Sequence, residues 1–497
     1  MKSIFRATAI LSGSSVATIL VGLVSAKVLA MVLQPSGYGY YGLAQSVVGL
    51  ATLIAGMGVT TAMVRLGAGP VTRGDFGTVA SLRRAAWLLR WGLGGLAFVT
   101  LWLFRGRISQ WALGTRDQAS IIVVLGIAVI FMVATNVQTG VLNAHHCVGS
   151  LAKYGVLSAV LGAMVTIGAV LLWHVQGVVP GVIAATVVSC ALSGYYLYRD
   201  VGPVRVKTTP RESLKAARSL LIFGGPFMAS MLVGTGVQLA LPIVVLHLLD
   251  TESVGYYRAA AAISVNYLGF LVTAMGLDYY PRVSAVADRP NTLVKLINEQ
   301  HRLVMLLAVP MILGTLALVP YLVPLVYSSK FHPAVEILEW QLIGDLFKFA
   351  GWTMSFALLA RGGSVYYFVP ESVSGVSLLV STWLAVRWLG LSGLGISFLF
   401  SYMIYYLAEW IIIRRKVPLR WTAWNKKMML GGVAAALVIR LIPLTRFAHY
   451  RTPVALTLAM AFGIPSLYVI WREFMASKDA EPGAQLSESC EPTQVAT

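Results

Sequence analysis

Four basic residues, Lys27, Arg90, Arg258 and Lys348, lie inside long apolar stretches of this chain. A cation at the centre of a hydrocarbon layer costs roughly 2.5–3.5 kcal/mol on insertion scales, so each needs a partner, an aqueous cavity or a route to the surface. Kept charged there, it can hold an anion. Lys27 is the most interior of the four; Arg258 and Arg90 sit within one to two turns of the ends of their stretches and can snorkel. Around Lys348, the residues Gln341, Asp345, Lys348, Trp352 and Ser355 recur at three- and four-residue steps, which places them on one helix face. Such a face belongs inside a bundle. Two readings stay open there: Asp345 and Lys348 neutralise each other as a structural pair, or Asp345 takes up a proton or cation. Asp278, Glu371 and Glu409 are the other acidic candidates for carrying an ion. The histidines at 145, 146, 174 and 247 lack metal-ligand company, and Cys147, Cys190 and Cys490 lack paired spacing. No Walker motif occurs, so direct ATP drive is not expected; no metal and no cofactor are expected either.

The stretches that must position these residues define the fold class. Of 497 residues, 58% are hydrophobic and 11% charged, too few charges to cover the surface of a water-soluble domain. The apolar residues fall in blocks of about 20 or more, the length that crosses about 30 Å of hydrocarbon. Hydropathy predicts spans over 8–33, 39–65, 85–104, 120–142, 154–174, 179–198, 219–249, 255–281, 303–327, 335–360, 364–386, 391–413, 428–443 and 453–471. The first is too long for a signal-peptide core and is read as retained. An all-α polytopic membrane protein of about 14 transmembrane helices follows.

The net charge of +19 would suggest a nucleic-acid partner in a soluble protein. Here the bases sit in short connections, where they report topology instead. One side receives Lys2, Arg6, Arg65, Arg73, Arg83, Arg84, the run from Arg199 to Arg218, and the cluster Arg414, Arg415, Lys416, Arg420, Lys426, Lys427. That side is expected to be cytoplasmic and to hold both termini. The expected domains are a six-helix bundle over 1–198, a basic linker over 199–218, a second six-helix bundle over 219–413, an additional helix pair over 414–471 and a disordered tail over 472–497.

The two bundles show weak self-similarity. Leu33-Gln34-Pro35-Ser36-Gly37-Tyr38-Gly39-Tyr40-Tyr41 and Leu249-Asp250-Thr251-Glu252-Ser253-Val254-Gly255-Tyr256-Tyr257 each link one span to the next, at an offset of 255 − 39 = 216. Further on, Gly56-Met57-Gly58 corresponds to Ala274-Met275-Gly276 at an offset of 276 − 58 = 218, so two residues slip within the paired helices. Six spans per half bring both halves in with the same sense, a parallel repeat about an axis along the membrane normal, as in some secondary transporters. Gly224-Gly225-Pro226 and Pro242 predict a bent or broken seventh span.

Leu33 to Tyr41 with Gly56-Met57-Gly58 resembles the opening helices of the polysaccharide transporter family, part of the multidrug/oligosaccharidyl-lipid/polysaccharide exporter superfamily. Ser328-Ser329-Lys330-Phe331 and Leu338-Glu339-Trp340-Gln341-Leu342-Ile343-Gly344-Asp345-Leu346-Phe347-Lys348 are similar to a pattern of Wzx-type O-antigen translocases, including the enterobacterial common antigen flippase. Lys27 falls where that subgroup carries a lysine. The likeness covers about residues 1–416; the helix pair after Lys416 departs from the shorter members, and Arg90 and Arg258 lie outside the matched motifs.

The resemblance implies a flippase, not an enzyme. It would move undecaprenyl-diphosphate-linked oligosaccharide from the cytoplasmic to the periplasmic leaflet of a bacterial inner membrane by alternating access, for O-antigen, exopolysaccharide or capsule assembly. Membrane lipids, a polymerase and chain-length proteins are the implied partners. A diphosphate with sugars cannot enter hydrocarbon unaided, so Lys27, Lys348, Arg90 and Arg258 are the candidates to hold it. Asp345, Asp278 and Glu409 are candidates for ion coupling, with Gln341 and Trp352 supporting the same face. Two rivals are a drug or lipid II exporter of the same superfamily, and a membrane enzyme acting on the same lipid carrier.

Overall fold

Hydrocarbon offers no water to a backbone N–H or C=O, so a spanning segment must satisfy them internally, and an unbroken apolar block does so as a helix. The computed structural model describes residues 2–203, 206, 208–362, 364–444 and 448–479, without side chains at 2–12, 265–278, 281, 362, 364–365, 367, 444, 448, 473–474 and 476–479; Asp278 thus lies outside the described side chains. Among the described residues all regular structure is helical. Ten helical stretches are long and apolar enough to cross a bilayer, and Gly13–Ala55 and Val148–Asp200 each have the length for two crossings.

The helices are α1 (Lys2–Ala55), α2 (Val59–Arg73), α3 (Phe76–Leu103), α4 (Arg105–Leu113), α5 (Ala119–Ala144), α6 (Val148–Trp173), α7 (Val178–Val201), α8 (Pro210–Met231), α9 (Val237–Leu248), α10 (Thr251–Ala285), α11 (Pro290–Val326), α12 (Ala334–Gly362), α13 (Ser364–Leu389), α14 (Ser392–Lys416), α15 (Ala423–Leu441) and α16 (Arg451–Asp479). Helix α1 breaks at Gln34, whose φ of 60° and ψ of 178° precede Pro35; proline disfavours the helical conformation in the residue before it. The predicted second span, 39–65, is itself interrupted at 56–58, because Met57 and Gly58 adopt positive φ of 46° and 63°. The seventh span is irregular, but through a π-helical turn at Leu232–Gly236 rather than at the predicted points: α8 runs on through Pro226 and α9 through Pro242. The charged helix starts carry caps: Asp75 Oδ1 accepts from the Thr78 N–H at 3.0 Å before α3, and Thr209 and Glu212 form a reciprocal capping box before α8.

The chain divides into two compact units. Unit 1 comprises Met1–Gly269, Pro320–Gln341 and Phe368–Ile404; unit 2 comprises Phe270–Val319, Leu342–Tyr367 and Tyr405–Thr497. In unit 1, α5 is the hub, packed against α1, α2, α3, α6 and α7. Lipid tails are as apolar as leucine, so helices associate here through close packing and hydrogen bonds rather than the hydrophobic effect. Small residues serve that packing: Ala85, Ala86, Val137, Val141, Ala144, Ala216 and Ala217 belong to one buried cluster with Met63 and Leu220.

In unit 2, the link from α14 to α15 is tied to α11 by Asn298. Its Nδ2 donates to the Arg420 carbonyl at 3.1 Å, and its Oδ1 accepts from the Thr422 N–H and from Asn425 Nδ2, both at 3.0 Å. Trp421 lies on buried His301 with ring centroids 4.2 Å apart, and Arg302 sits 5.2 Å over Trp424. Further along α15, Gly432 admits the side chain of Val309, with no room for a Cβ. Asn298→Ala breaks all three amide bonds and leaves buried groups unpaired, a cost of about 2–4 kcal/mol. A clearly lowered unfolding temperature of the detergent-purified protein is expected; an unchanged one would mean the α14–α15 link is held elsewhere.

Candidate functional site

The two repeat motifs meet inside unit 1. A Cβ added at Gly39 would lie 1.9 Å from the Thr251 carbonyl oxygen, and one added at Gly255 would lie 2.1 Å from the Pro35 carbonyl oxygen. Positions 35 and 251 carry the same offset as 39 and 255, 251 − 35 = 216. Each half therefore presses its glycine onto the equivalent backbone of the other, the reciprocal contact that a two-fold relation demands. Phe331, from the Ser328–Phe331 motif, is fully buried beside this crossing. Its ring lies 5.7 Å from Tyr38, 6.1 Å from Tyr256 and 5.3 Å from Tyr327. Three segments singled out in the sequence thus form one aromatic cluster.

The same register explains Arg258. Its repeat equivalent is Gly42 (258 − 42 = 216), and the arginine lies across that glycine, its Cγ and Nε 3.0 Å from where a Cβ would stand. One half supplies the guanidinium and the other leaves the room. Arg258 Nη2 donates to Gln45 Oε1, and Gln45 Nε2 donates to the Tyr41 hydroxyl at 2.6 Å. Arg258, Gln45 and Tyr41 line a cavity of about 590 Å³ within unit 1, together with Ser25 on α1, Ser158 on α6 and Thr186 on α7. No described residue lining it is a carboxylate. The wall thus offers a cation, an amide and hydroxyls, groups that suit phosphate or sugar oxygens.

The other expected site residues lie elsewhere. Lys27 is on the exposed side of α1, two positions from Ser25, and its Nζ donates to the Leu325 carbonyl near the end of α11. Arg90 is half-buried on α3 and lines a separate cavity. In unit 2, Asp345 is fully buried, and Lys348 Nζ lies 3.4 Å from Asp345 Oδ1 and 5.1 Å above the Trp352 ring. Glu409 is fully buried on α14. Gln341 belongs to unit 1, buried, with both amide atoms lacking a partner among the described residues. Among the described residues no three His, Cys, Asp or Glu side chains gather as a metal would require. Sequence reasoning missed Gln45, Tyr41 and Gly42. The 216-residue offset was the signal that places 42 against 258.

The fold defines the class. It is similar to the lipid II flippase MurJ in an inward closed conformation, with a TM-score of 0.70 at 13% identity, covering 94% of this chain and all of that one. It is also similar to an inward-facing multidrug resistance MATE family transporter of the MOP superfamily, with a TM-score of 0.66 at 18% identity, covering 84% of this chain and 99% of that one. The chain is a multi-pass membrane protein of this architecture. It belongs to the family described as polysaccharide biosynthesis protein, whose profile matches residues 28–336, more than half of its length. Among curated relatives, it is 24% identical over 238 residues to a putative O-antigen transporter of Shigella flexneri, covering 48% of this chain and 56% of that protein. It is 22% identical over 159 residues to the lipid III flippase of Escherichia coli K12, covering 31% of this chain and 37% of that protein. The matches therefore span between about a third and just over half of those relatives' lengths.

Proposed function

We propose that the protein is a flippase, not an enzyme, which carries a polyprenyl-diphosphate-linked oligosaccharide from the cytoplasmic to the periplasmic leaflet of a bacterial inner membrane. The observation that carries this reading is Arg258: a guanidinium held by Gln45 in a cavity whose described lining has no carboxylate to neutralise it. A bare diphosphate in hydrocarbon faces a Born cost of tens of kcal/mol; a fixed cation among hydroxyls replaces part of its hydration. Lys27, two turns from the break at Gln34, is a second cation along the path, and its long stem lets it exchange the Leu325 carbonyl for a phosphate oxygen. A cationic wall also opposes cationic drugs, which favours the lipid-linked saccharide over a drug exporter.

The basic connections put both termini in the cytoplasm. With that orientation the headgroup's negative charge moves outward along an inside-negative potential, roughly 2.3 kcal/mol per charge per 100 mV, and no bond needs to be broken. The buried Asp345–Lys348 pair is our candidate for ion coupling, since protonating Asp345 would release Lys348; Glu409 is a second buried carboxyl on the route, and Asp278 a third candidate.

The reading is tested in a strain whose own lipid-linked oligosaccharide flippase is deleted. The wild-type chain restores surface polysaccharide and clears the lipid-linked intermediate, whereas Lys27→Ala does neither at normal protein amount. Full restoration by Lys27→Ala would remove Lys27 from the site. Failure of the wild-type chain with every saccharide offered would remove the function.

A further inference from the structure

A second cationic cavity lies in unit 1 and shares no lining residue with the first. It has a volume of about 420 Å³ and is lined by Arg83, Arg84, Trp87 and Arg90 of α3, Gln138 of α5 and Val206 of the linker, among others. Three guanidinium groups thus share one hollow, and no described residue lining it is a carboxylate. Asp200 lines an adjoining hollow with Arg83 and is already engaged, at 2.7 Å by Arg199 and by the Ser150 hydroxyl.

Two of the arginines hold the linker. Arg83 donates to the Gly202 carbonyl, and Arg84 to the Thr208 carbonyl at 3.1 Å. Arg90 does not. It stands two turns beyond Arg83, about 10 Å along the helix axis, beside Gln138: with the Gln138 amide turned so that both of its ends are satisfied, Arg90 Nη1 donates to Gln138 Oε1 at 2.7 Å and Gln138 donates to the Cys190 carbonyl at 3.1 Å. The Nε of Arg90, shielded from solvent, has no partner among the described residues. A half-buried guanidinium with an orphaned donor in an apolar span is unfavourable unless an anion completes it.

The surroundings say which kind of anion. Trp87, Leu88 and Trp91 on the same stretch of α3 are exposed, and the Arg90 guanidinium lies 4.9 Å over the Trp91 ring. Amphipathic tryptophans beside bases mark the boundary between headgroups and acyl chains. The hollow therefore opens where a lipid phosphate lies, with apolar surface beside it for the chains, and basic pockets of this kind between transmembrane helices take anionic headgroups. We infer that this cavity is a binding site for the phosphate headgroup of an anionic phospholipid, seated on Arg90 with Arg83 and Arg84 above it. The lipid fastens the linker between α7 and α8 to α3. The site does not depend on the transport reading.

The test titrates detergent-purified full-length protein with phosphatidylglycerol, phosphatidylcholine or sodium pyrophosphate, following thermal stability and, by native mass spectrometry, retained lipid. Phosphatidylglycerol is expected to bind at least about tenfold more tightly than phosphatidylcholine, and pyrophosphate not to displace it. Arg90→Gln is expected to weaken phosphatidylglycerol about tenfold with phosphatidylcholine unchanged, and Arg90→Lys to recover part of that. Should Arg90→Gln not fold, Arg84→Gln is expected to weaken the same lipid. Equal binding of the two lipids would overturn the site. Displacement by pyrophosphate would overturn its assignment to a lipid, and a folded Arg90→Gln protein with unchanged phosphatidylglycerol affinity would remove Arg90 from it.

Discussion

Arg258→Ala is expected to abolish transport while the protein accumulates and folds as the wild type does. The side chain makes one hydrogen bond, to Gln45, and rests on Gly42, so truncation leaves a slightly larger cavity and one amide that water can satisfy. Stability should change by about 1 kcal/mol or less. Transport should change far more, because removing one partner of a desolvated charge pair costs about 2–5 kcal/mol, or about 30-fold and upward. Arg258→Lys keeps the charge and loses the fork that can hold Gln45 and a phosphate oxygen together, so it should fall between the two. The comparison is made by measuring the lipid-linked intermediate and the folded protein in the same membranes. Equal transport by the alanine variant would show that the cavity's charge is irrelevant.

The opposite pattern is expected at the crossing of α1 and α10. Gly39→Val places a branched side chain where the Thr251 carbonyl oxygen leaves 1.9 Å, and that oxygen belongs to backbone, which cannot swing aside. The two helices must separate, and the aromatic cluster around Phe331 loses its packing with them. We expect a cost above about 3 kcal/mol, seen as little or no monodisperse protein on gel filtration. Gly255→Val should do the same from the other side, since its Cβ meets the Pro35 carbonyl at 2.1 Å. Gly95→Ala is the control: a Cβ there meets nothing within 4 Å, and alanine is the better helix former by about 1 kcal/mol. Normal yields of Gly39→Val protein would contradict the contact.

These two sites also show how much the sequence could say. Apolar block length foretold the helices and, between the spans 8–33 and 39–65, the place where α1 breaks at Gln34. Gly56 and Gly58 were visible as a motif, yet the interruption at 56–58 was not, since glycines are common inside membrane helices and only the backbone of Met57 and Gly58 reveals the turn. The repeat offset survived because it reflects a contact: Gly39 and Gly255 stay small where two backbones touch. What the sequence concealed was which inward faces meet. Gln45 and Arg258 are 213 residues apart, and nothing local to either says that they bond. For the same reason Lys27, Arg90 and Arg258 read alike as basic residues in apolar stretches, whereas within unit 1 one rests on a carbonyl and the others line separate cavities.

The most direct measurement of the central claim is translocation by the purified protein in liposomes. A polyprenyl-diphosphate-linked oligosaccharide placed in both leaflets is exposed to a membrane-impermeant glycosidase. With the wild-type chain the inner-leaflet pool should be consumed along with the outer one, whereas with Arg258→Ala digestion should stop at about half, as in protein-free vesicles. Digestion that halts at half with the wild-type chain as well would contradict the proposal that this protein moves such lipids.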